Sequence, residues 1–438
     1  MVKKKYFNLT NFPDLNLASP SEAANFVKSG SRIIVSANAN TPTTFLDSLF
    51  RRAHELEDVE ITHMRLLGNL PQITTDSAKQ IRFNPIVVSK DLRDGFSRGL
   101  VDHTPAHFHQ VSQIFSKGYR DLDLAVIALA APTEDCTCSY GTYIGFMDTV
   151  SKIAKQVIVE VNLEMPQTFG SVRFPLKEAV AVMESNHSLP EESRPEISEV
   201  EKKMGENVAN LIKNGDCLQV GAGSATSAVA EFLSSHRDLG VHTELFTDWM
   251  MDLVQKNCIN NSKKKIHRNE TVASFCRGTK KLYDFIHENP MIQFYPIEHT
   301  NDPFVIGQID SFVAINGAVQ VDLQGQVNSE SLGFHQISGT GGLLDFVRGA
   351  SHSSGGRNIV VFPSTALGGK VSRIVPFFEP GTAVTIPRSD VEWIVTEYGS
   401  RNLRGLSLRE RSSALIEIAH PNFRDELTFI FKEGRLYS

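Results

Sequence analysis

The stretch Leu218–Asp248, LQVGAGSATSAVAEFLSSHRDLGVHTELFTD, decides how this chain is read. An apolar run ends in Gly221-Ala222-Gly223. A helical pattern follows, and a second apolar run carries a lone carboxylate, Glu244. Small residues between a strand and a helix let a ligand approach the backbone and aim helix N-terminal amides at negative charge. In a doubly wound sheet such turns lie beyond the carboxyl ends of the strands, where ligands bind. From the residues alone, three readings compete. Gly221-Ala222-Gly223 begins a dinucleotide fingerprint with Glu244 near the place of its ribose acid. Thr226, however, replaces the last glycine, and no dehydrogenase acid–base set accompanies the turn. Ser224 as a nucleophile needs a G-x-S-x-G elbow, which GAGSAT is not. In the third reading Glu244 only caps a neighbour or pairs with Arg237 or Arg373.

Outward from this stretch the same alternation recurs. SRIIVSA, VEITHMRLL, DLDLAVIALA and QVIVEVN read as strands in the first half, with helical TTFLDSLFRRAHEL and GTYIGFMDTVSKIAK between them. DCLQVGA, GVHTELF, SFVAING, NIVVFP and VEWIVTEYG continue the pattern in the second. Val- and Ile-rich strands with helical crossovers predict mostly parallel sheets covered on both faces. The polar, two-proline stretch ESNHSLPEESRPEI (Glu184–Ile197) marks a domain boundary. The expected plan is two open α/β domains of similar topology, residues 1–190 and 191–438. A weak internal echo supports it: residues 29–49 and 214–233 share a Gly turn, a strand, a small-residue loop and a helix.

Composition narrows the function classes. The 438 residues carry a net charge of −6, with 41% hydrophobic and 21% charged residues. That balance provides no basic field for nucleic acid or an anionic membrane. The basic spots KKKYF (residues 3–7) and SKKKIHR (262–268) read as solvated surface. The N-terminal stretch has no apolar core of a signal peptide. The longest apolar run, Leu124–Pro132, is too short to span a bilayer. Five scattered cysteines suit free thiols in a reducing cytoplasm, and neither they nor the three histidines of VDHTPAHFHQ have metal-site spacing. His242, which shares a strand face with Glu244, reads as structural. Asp345 and Arg348 read as an ion pair.

The blocks GAGSATSAV, LGVHTELFTD, INGAVQVDLQGQVNSESLG, SGTGGLLDFVRGA, GGKVSRIVP and VTEYGSRNLRGLSLRERSSALIEIAHPNFRDEL follow one another in the second half, and KQVIVEVNLEMPQTFG lies in the first. In these blocks the chain resembles the acetyl-CoA hydrolase/transferase family, in particular the 4-hydroxybutyrate and butyrate:acetate CoA-transferases. The resemblance implies an active site between two α/β domains and Glu244 as the catalytic residue. It implies CoA-binding and oxyanion roles for Val220, Gly221, Ala222, Gly223, Gly341 and Gly342. Glu397 and Asn316 would line the carboxylate pocket, with an ion pair from Glu397 to Arg401 or Arg404, and a turn role for Asn316, equally open. The implied chemistry passes CoA between a short-chain acyl-CoA and a carboxylate such as acetate, butyrate or 4-hydroxybutyrate. It is ping-pong and runs through a glutamyl-CoA thioester. Coenzyme A is then substrate and covalent intermediate, no cofactor is tightly bound, and a homo-oligomer is expected. Acyl-CoA hydrolysis, or CoA binding without activity, are the alternatives. Two departures bear on them: Leu367 stands where the family commonly has a CoA-holding lysine, and LAAPTEDCTCSYG replaces a glycine-containing loop.

Overall fold

A computed structural model describes residues 8–68, 71–194 and 196–433. The basic stretch 3–7 lies outside the described residues. The chain divides into two compact units. One comprises residues up to 193 with 246–248 and 272–300. The other comprises 194–245, 249–271 and 301 onward.

In the first unit, six apolar runs form one sheet: β1 (Arg32–Val35), β2 (Val59–His63), β3 (Ile81–Pro85), β4 (Leu124–Leu129), β5 (Gln156–Asn162) and β6 (Ala181–Ser185). Their order is β3-β2-β1-β4-β5-β6, and every pairing is parallel. The order reverses between β1 and β4, as in a doubly wound sheet. β4 reads LAVIAL and is buried throughout, as a strand covered on both faces must be. Helix α1 (Thr43–Arg51) joins β1 to β2 and buries Phe45, Leu46 and Leu49.

The second unit repeats the plan with a different order. Its strands are β7 (Cys217–Val220), β8 (Gly240–Val241), β9 (Phe312–Gly317), β10 (Arg357–Val361), β11 (Trp393–Thr396) and β12 (Gly399–Asn402). They lie in the order β8-β7-β9-β10-β11-β12. All pair in parallel except the closing hairpin β11–β12. Here the switch point falls between β7 and β9. Helix α2 (Glu199–Ala209) starts with a capping box between Ser198 and Glu201. Helix α3 (Leu343–His352) is the crossover from β9 to β10.

Several elements differ from the sequence reading. The helix after the glycine turn is two four-residue pieces, Ser224–Ser227 and Val229–Phe232. GVHTELF is a strand only at Gly240–Val241 and Leu245–Phe246; His242 still bonds to β7 through its N–H, and Thr243–Glu244 lie outside both strands. In GTYIGFMDTVSKIAK the helix covers Met147–Ile153 alone, because Gly141 and Gly145 adopt positive φ before it. β3 and β6 had no clear signal in the sequence. Arg348 pairs with Asp390 at 3.2 Å rather than with Asp345. SKKKIHR is not all solvated: Lys263 and Lys265 are exposed, but Lys264 is buried. All five cysteines are free and buried. Among the described residues no helix is long and apolar enough to cross a membrane.

One buried charge has a clear pH signature. Glu160 on β5 is fully buried. It accepts from the Phe45 N–H at 3.0 Å, and His187 Nε2 stands 3.2 Å from its other oxygen. The hydrogen bond to Glu160 raises the His187 pKa above its ordinary value, against partial burial. A raised histidine pKa gives stability that is complete below about pH 6.5 and is lost as pH rises through the folded-state value. Urea unfolding across that range is expected to show falling stability. His187→Gln flattens this dependence, because the amide can still donate to Glu160 but does not titrate.

Candidate active site

The carboxyl edge of the second unit's sheet gathers the residues singled out above. Val220 ends β7 and is buried in the ladder beside Ile315. The Gly221 N–H donates to the Ile315 carbonyl at 2.8 Å, so this amide is occupied by the sheet. The Thr226 hydroxyl then donates to the carbonyls of Gly221 (2.7 Å) and Gly223 (2.9 Å). Thr226 thus folds the turn with its side chain where a dinucleotide fingerprint would place glycine. The Ala222 N–H has no acceptor among the described residues.

Asn316, at the end of β9, exchanges two amide hydrogen bonds with Gln219 of β7, at 2.9 and 3.1 Å. Both side chains are buried. A Cβ at position 221 would stand 2.7 Å from Asn316 Oδ1, so glycine is needed there for the pair to form.

Glu244 follows the edge strand β8. His242 and Thr243 before it are fully buried, whereas Glu244 is partly exposed. The His242 ring lies 6.3 Å from that of Phe312 and 6.2 Å from that of His267, a packed environment. Asn301, fully buried, donates from Nδ2 to Glu244 Oε2 at 2.8 Å. Gly342 is the N-cap residue of α3. Any Cβ at 342 would overlap both Glu244 Oε2 and Asn301 Nδ2. Gly341 before it has φ 60°, a left-handed turn that favours glycine. The Glu244 carboxylate therefore lies against the start of a ten-residue helix, whose N-terminal dipole favours negative charge.

Sequence reasoning missed Asn301. A signal was present: in TNDPF, Asp302 caps a short helix, accepting from the Phe304 N–H at 2.8 Å, with Pro303 at its first position. That turn orients the residue just before it, but nothing local says toward what.

Glu397 lies past the end of β11. Its two oxygens accept from the Ser364 N–H at 2.8 Å and the Ser364 hydroxyl at 2.6 Å. Arg401 pairs with Glu417 at 2.6 Å and Arg404 faces Glu392 at 3.9 Å, so neither ties down Glu397. Arg373 donates weakly to the Ala318 carbonyl at 3.5 Å. Burial lowers its pKa, and the nearby Glu397 charge acts against that. Arg237 donates to the carbonyls of Ser234 and His236. Neither arginine is the partner of Glu244. Leu367 lies at a hairpin tip, 76% exposed and with φ 52°. In the other unit, His103 Nδ1 meets the Pro85 carbonyl at 2.9 Å, and His107 and His109 stack at 6.2 Å.

Profiles for the N-terminal and C-terminal domains of acetyl-CoA hydrolase/transferase match residues 9–188 and 278–430. The chain belongs to the acetyl-CoA hydrolase/transferase family. It is 40% identical to the 4-hydroxybutyrate coenzyme A transferase of Clostridium kluyveri, over 95% of this chain and 97% of that one. It is also 40% identical to the succinyl-CoA:cyclohexane-1-carboxylate CoA transferase of Geobacter metallireducens, over 94% of each. The crystal structure of 4-hydroxybutyrate CoA-transferase from Porphyromonas gingivalis superposes with a TM-score of 0.84 at 34% identity, covering 97% of this chain and all of that one.

The clearance at position 342 is directly testable. Gly342→Ala places a methyl group where Glu244 Oε2 and the Asn301 amide meet. The backbone there (φ −92°, ψ 1°) accepts alanine, so the variant should fold. Its CoA-transferase activity is expected to fall about 10²-fold through misplacement of the carboxylate. Turnover assays beside a melting curve check this.

Proposed function

We propose that this enzyme is a CoA-transferase that moves CoA between a short-chain acyl-CoA and a free carboxylate through a covalent thioester on Glu244. The observation that carries the reading is the seating of Glu244: one oxygen held by Asn301, against the glycine that opens α3. A neutral amide orients the carboxylate without setting a counter-charge against it, which suits a carboxylate nucleophile.

The steps balance without added reagents. Glu244 Oε1 attacks the acyl-CoA carbonyl, the C–S bond breaks, and a mixed anhydride forms with release of CoA thiolate. The thiolate attacks the glutamyl carbonyl. The C–O bond to the first acid breaks, that acid leaves as carboxylate, and glutamyl-CoA remains. The second carboxylate attacks this thioester and displaces the thiolate. The thiolate then attacks the new acyl carbonyl, giving the new acyl-CoA and restoring Glu244. No proton is gained or lost over the cycle, and one thioester replaces another, so no ATP is consumed.

Each addition creates an oxyanion that needs preorganised donors. When the acyl carbonyl is attacked, we assign the donor role to the amides of Ala222 and Gly342, the first of which has no acceptor among the described residues. When the glutamyl carbonyl is attacked, the charge develops on Oε2, which already accepts from Asn301. Val220, Gly221, Gly223 and Gly341 shape the two turns that present these amides. Asn316 acts through its pairing with Gln219, which fixes the first turn. Glu397, held by Ser364, forms a wall of the carboxylate pocket.

Preference for acetate, butyrate or 4-hydroxybutyrate follows from kcat/KM with each acid. Borohydride treatment of the protein incubated with acyl-CoA, followed by peptide mapping, should find reduction at Glu244 and nowhere else. Glu244→Gln should show no adduct and no exchange. Asn301→Ala should keep its fold and lose about 10²-fold in kcat. Modification at another residue overturns the mechanism, and thiol release without an acceptor acid points to hydrolysis.

A further inference from the structure

The edge strand β8 pairs with β7 on one side only. Edge strands leave a row of backbone groups in need of partners. Here the inner side is closed by the ladder, with the His242 N–H donating to the Leu218 carbonyl at 3.1 Å. The outer side is closed by side chains from the loop that follows. The Val241 N–H donates to Asn261 Oδ1 at 2.8 Å, and Asn261 Nδ2 in turn donates to Thr271 Oγ1 at 3.0 Å. The Val241 carbonyl accepts from Lys264 Nζ at 2.9 Å. The same ammonium donates to the Glu270 carbonyl at 2.8 Å. Lys264 is only 4% exposed. Its stem packs on Gly240, where a Cβ would come within 3.0 Å of Lys264 Cγ.

A buried ammonium is costly unless hydrogen-bonded, and a solvated surface lysine would be the cheaper use of this position. The geometry accounts for the burial: one group must reach two carbonyls that no strand covers. Val241 is the last residue of β8, and Glu244 follows three residues later. We propose that Lys264 is a positioning residue for CoA transfer, holding the outer carbonyl of Val241 so that the strand end from which Glu244 projects keeps one place. The proposal rests on Glu244 being the nucleophile.

The charged and titratable groups around Lys264 are few. Cys217 faces it from β7, and burial pushes that thiol up to about 11, so it is neutral. Glu270 and His267 lie on the same loop, 3.4 Å apart at Oε2 and Nδ1. His242 adjoins His267. Burial lowers the lysine pKa to about 8. At neutral pH the ammonium persists. Above that value the amine keeps two donors but loses the charge that strengthens its bonds, so the effect on positioning is partial.

The test compares wild type, Lys264→Met and Lys264→Ala, with unfolding curves alongside kinetics. Lys264→Met is expected to fold, to keep KM for acyl-CoA within about twofold, and to lose about 10²-fold in kcat. Wild-type kcat should step down to a lower plateau above about pH 8, and that step should be missing in Lys264→Met. Lys264→Ala should recover with propylammonium and not with propanol. A folded Lys264→Met with kcat within about threefold of wild type overturns the proposal. So does equal recovery with the amine and the alcohol. Should neither variant fold, a wild-type profile without the alkaline step overturns it as well. Borohydride trapping on wild type separates the two ideas: without an adduct at Glu244 the nucleophile reading falls and this one with it. An adduct with a fully active Lys264→Met sinks the positioning role alone.

Discussion

The Asn301 amide holds one oxygen of Glu244 at 2.8 Å, and the site depends on that contact. It requires glycine at 342, because any side chain would take the carboxylate's place. It requires the Asp302–Pro303 turn, which sets Asn301 at the mouth of a short helix. And it requires an edge strand whose end does not wander. A neutral amide orients a carboxylate without cancelling its charge, which a nucleophile must keep. A cation in the same position would favour the charged form and make its oxygen a poorer nucleophile.

The second unit's sheet explains why these groups can meet. In a parallel sheet all strands end on one edge, and crossover helices begin there. Glu244 after β8, the glycine turn after β7, Asn316 at the end of β9, Gly342 at the start of α3 and Glu397 after β11 share that edge. The fold brings together residues up to 176 positions apart, from Gly221 to Glu397. The Gln219–Asn316 amide pair spans β7 and β9, flanking the switch point, and keeps the glycine turn next to the end of β9. Burial of both amides makes that register specific, because a slipped pairing would leave two buried polar groups unsatisfied.

Much of this was legible in the sequence. Val- and Ile-rich runs marked most strands, because a strand buried on both faces must be apolar throughout. The echo between residues 29–49 and 214–233 corresponds to β1 and β7, each flanking the switch point of its own sheet. The blocks around Glu244 and Gly342 carried the family. Strands such as IRFNP and AVMES were less visible: one holds an asparagine and a proline while the other ends in Glu-Ser. The chain around GVHTELF could not be judged locally either, since the edge strand stops opposite Leu218 although its partner β7 runs on to Val220.

The sequence by itself determined the two α/β sheets, the family and the candidate carboxylate. All three are written in local periodicity and in blocks of adjacent residues. Tertiary structure alone decided that Asn301 faces Glu244, that Asn316 is occupied by Gln219, and that Lys264, the middle of three lysines, turns inward. The reason is physical. A hydrogen bond between residues 57 positions apart leaves no periodic trace in the chain. Whether a lysine is solvated or buried depends on which backbone carbonyls the folded edge leaves without a partner.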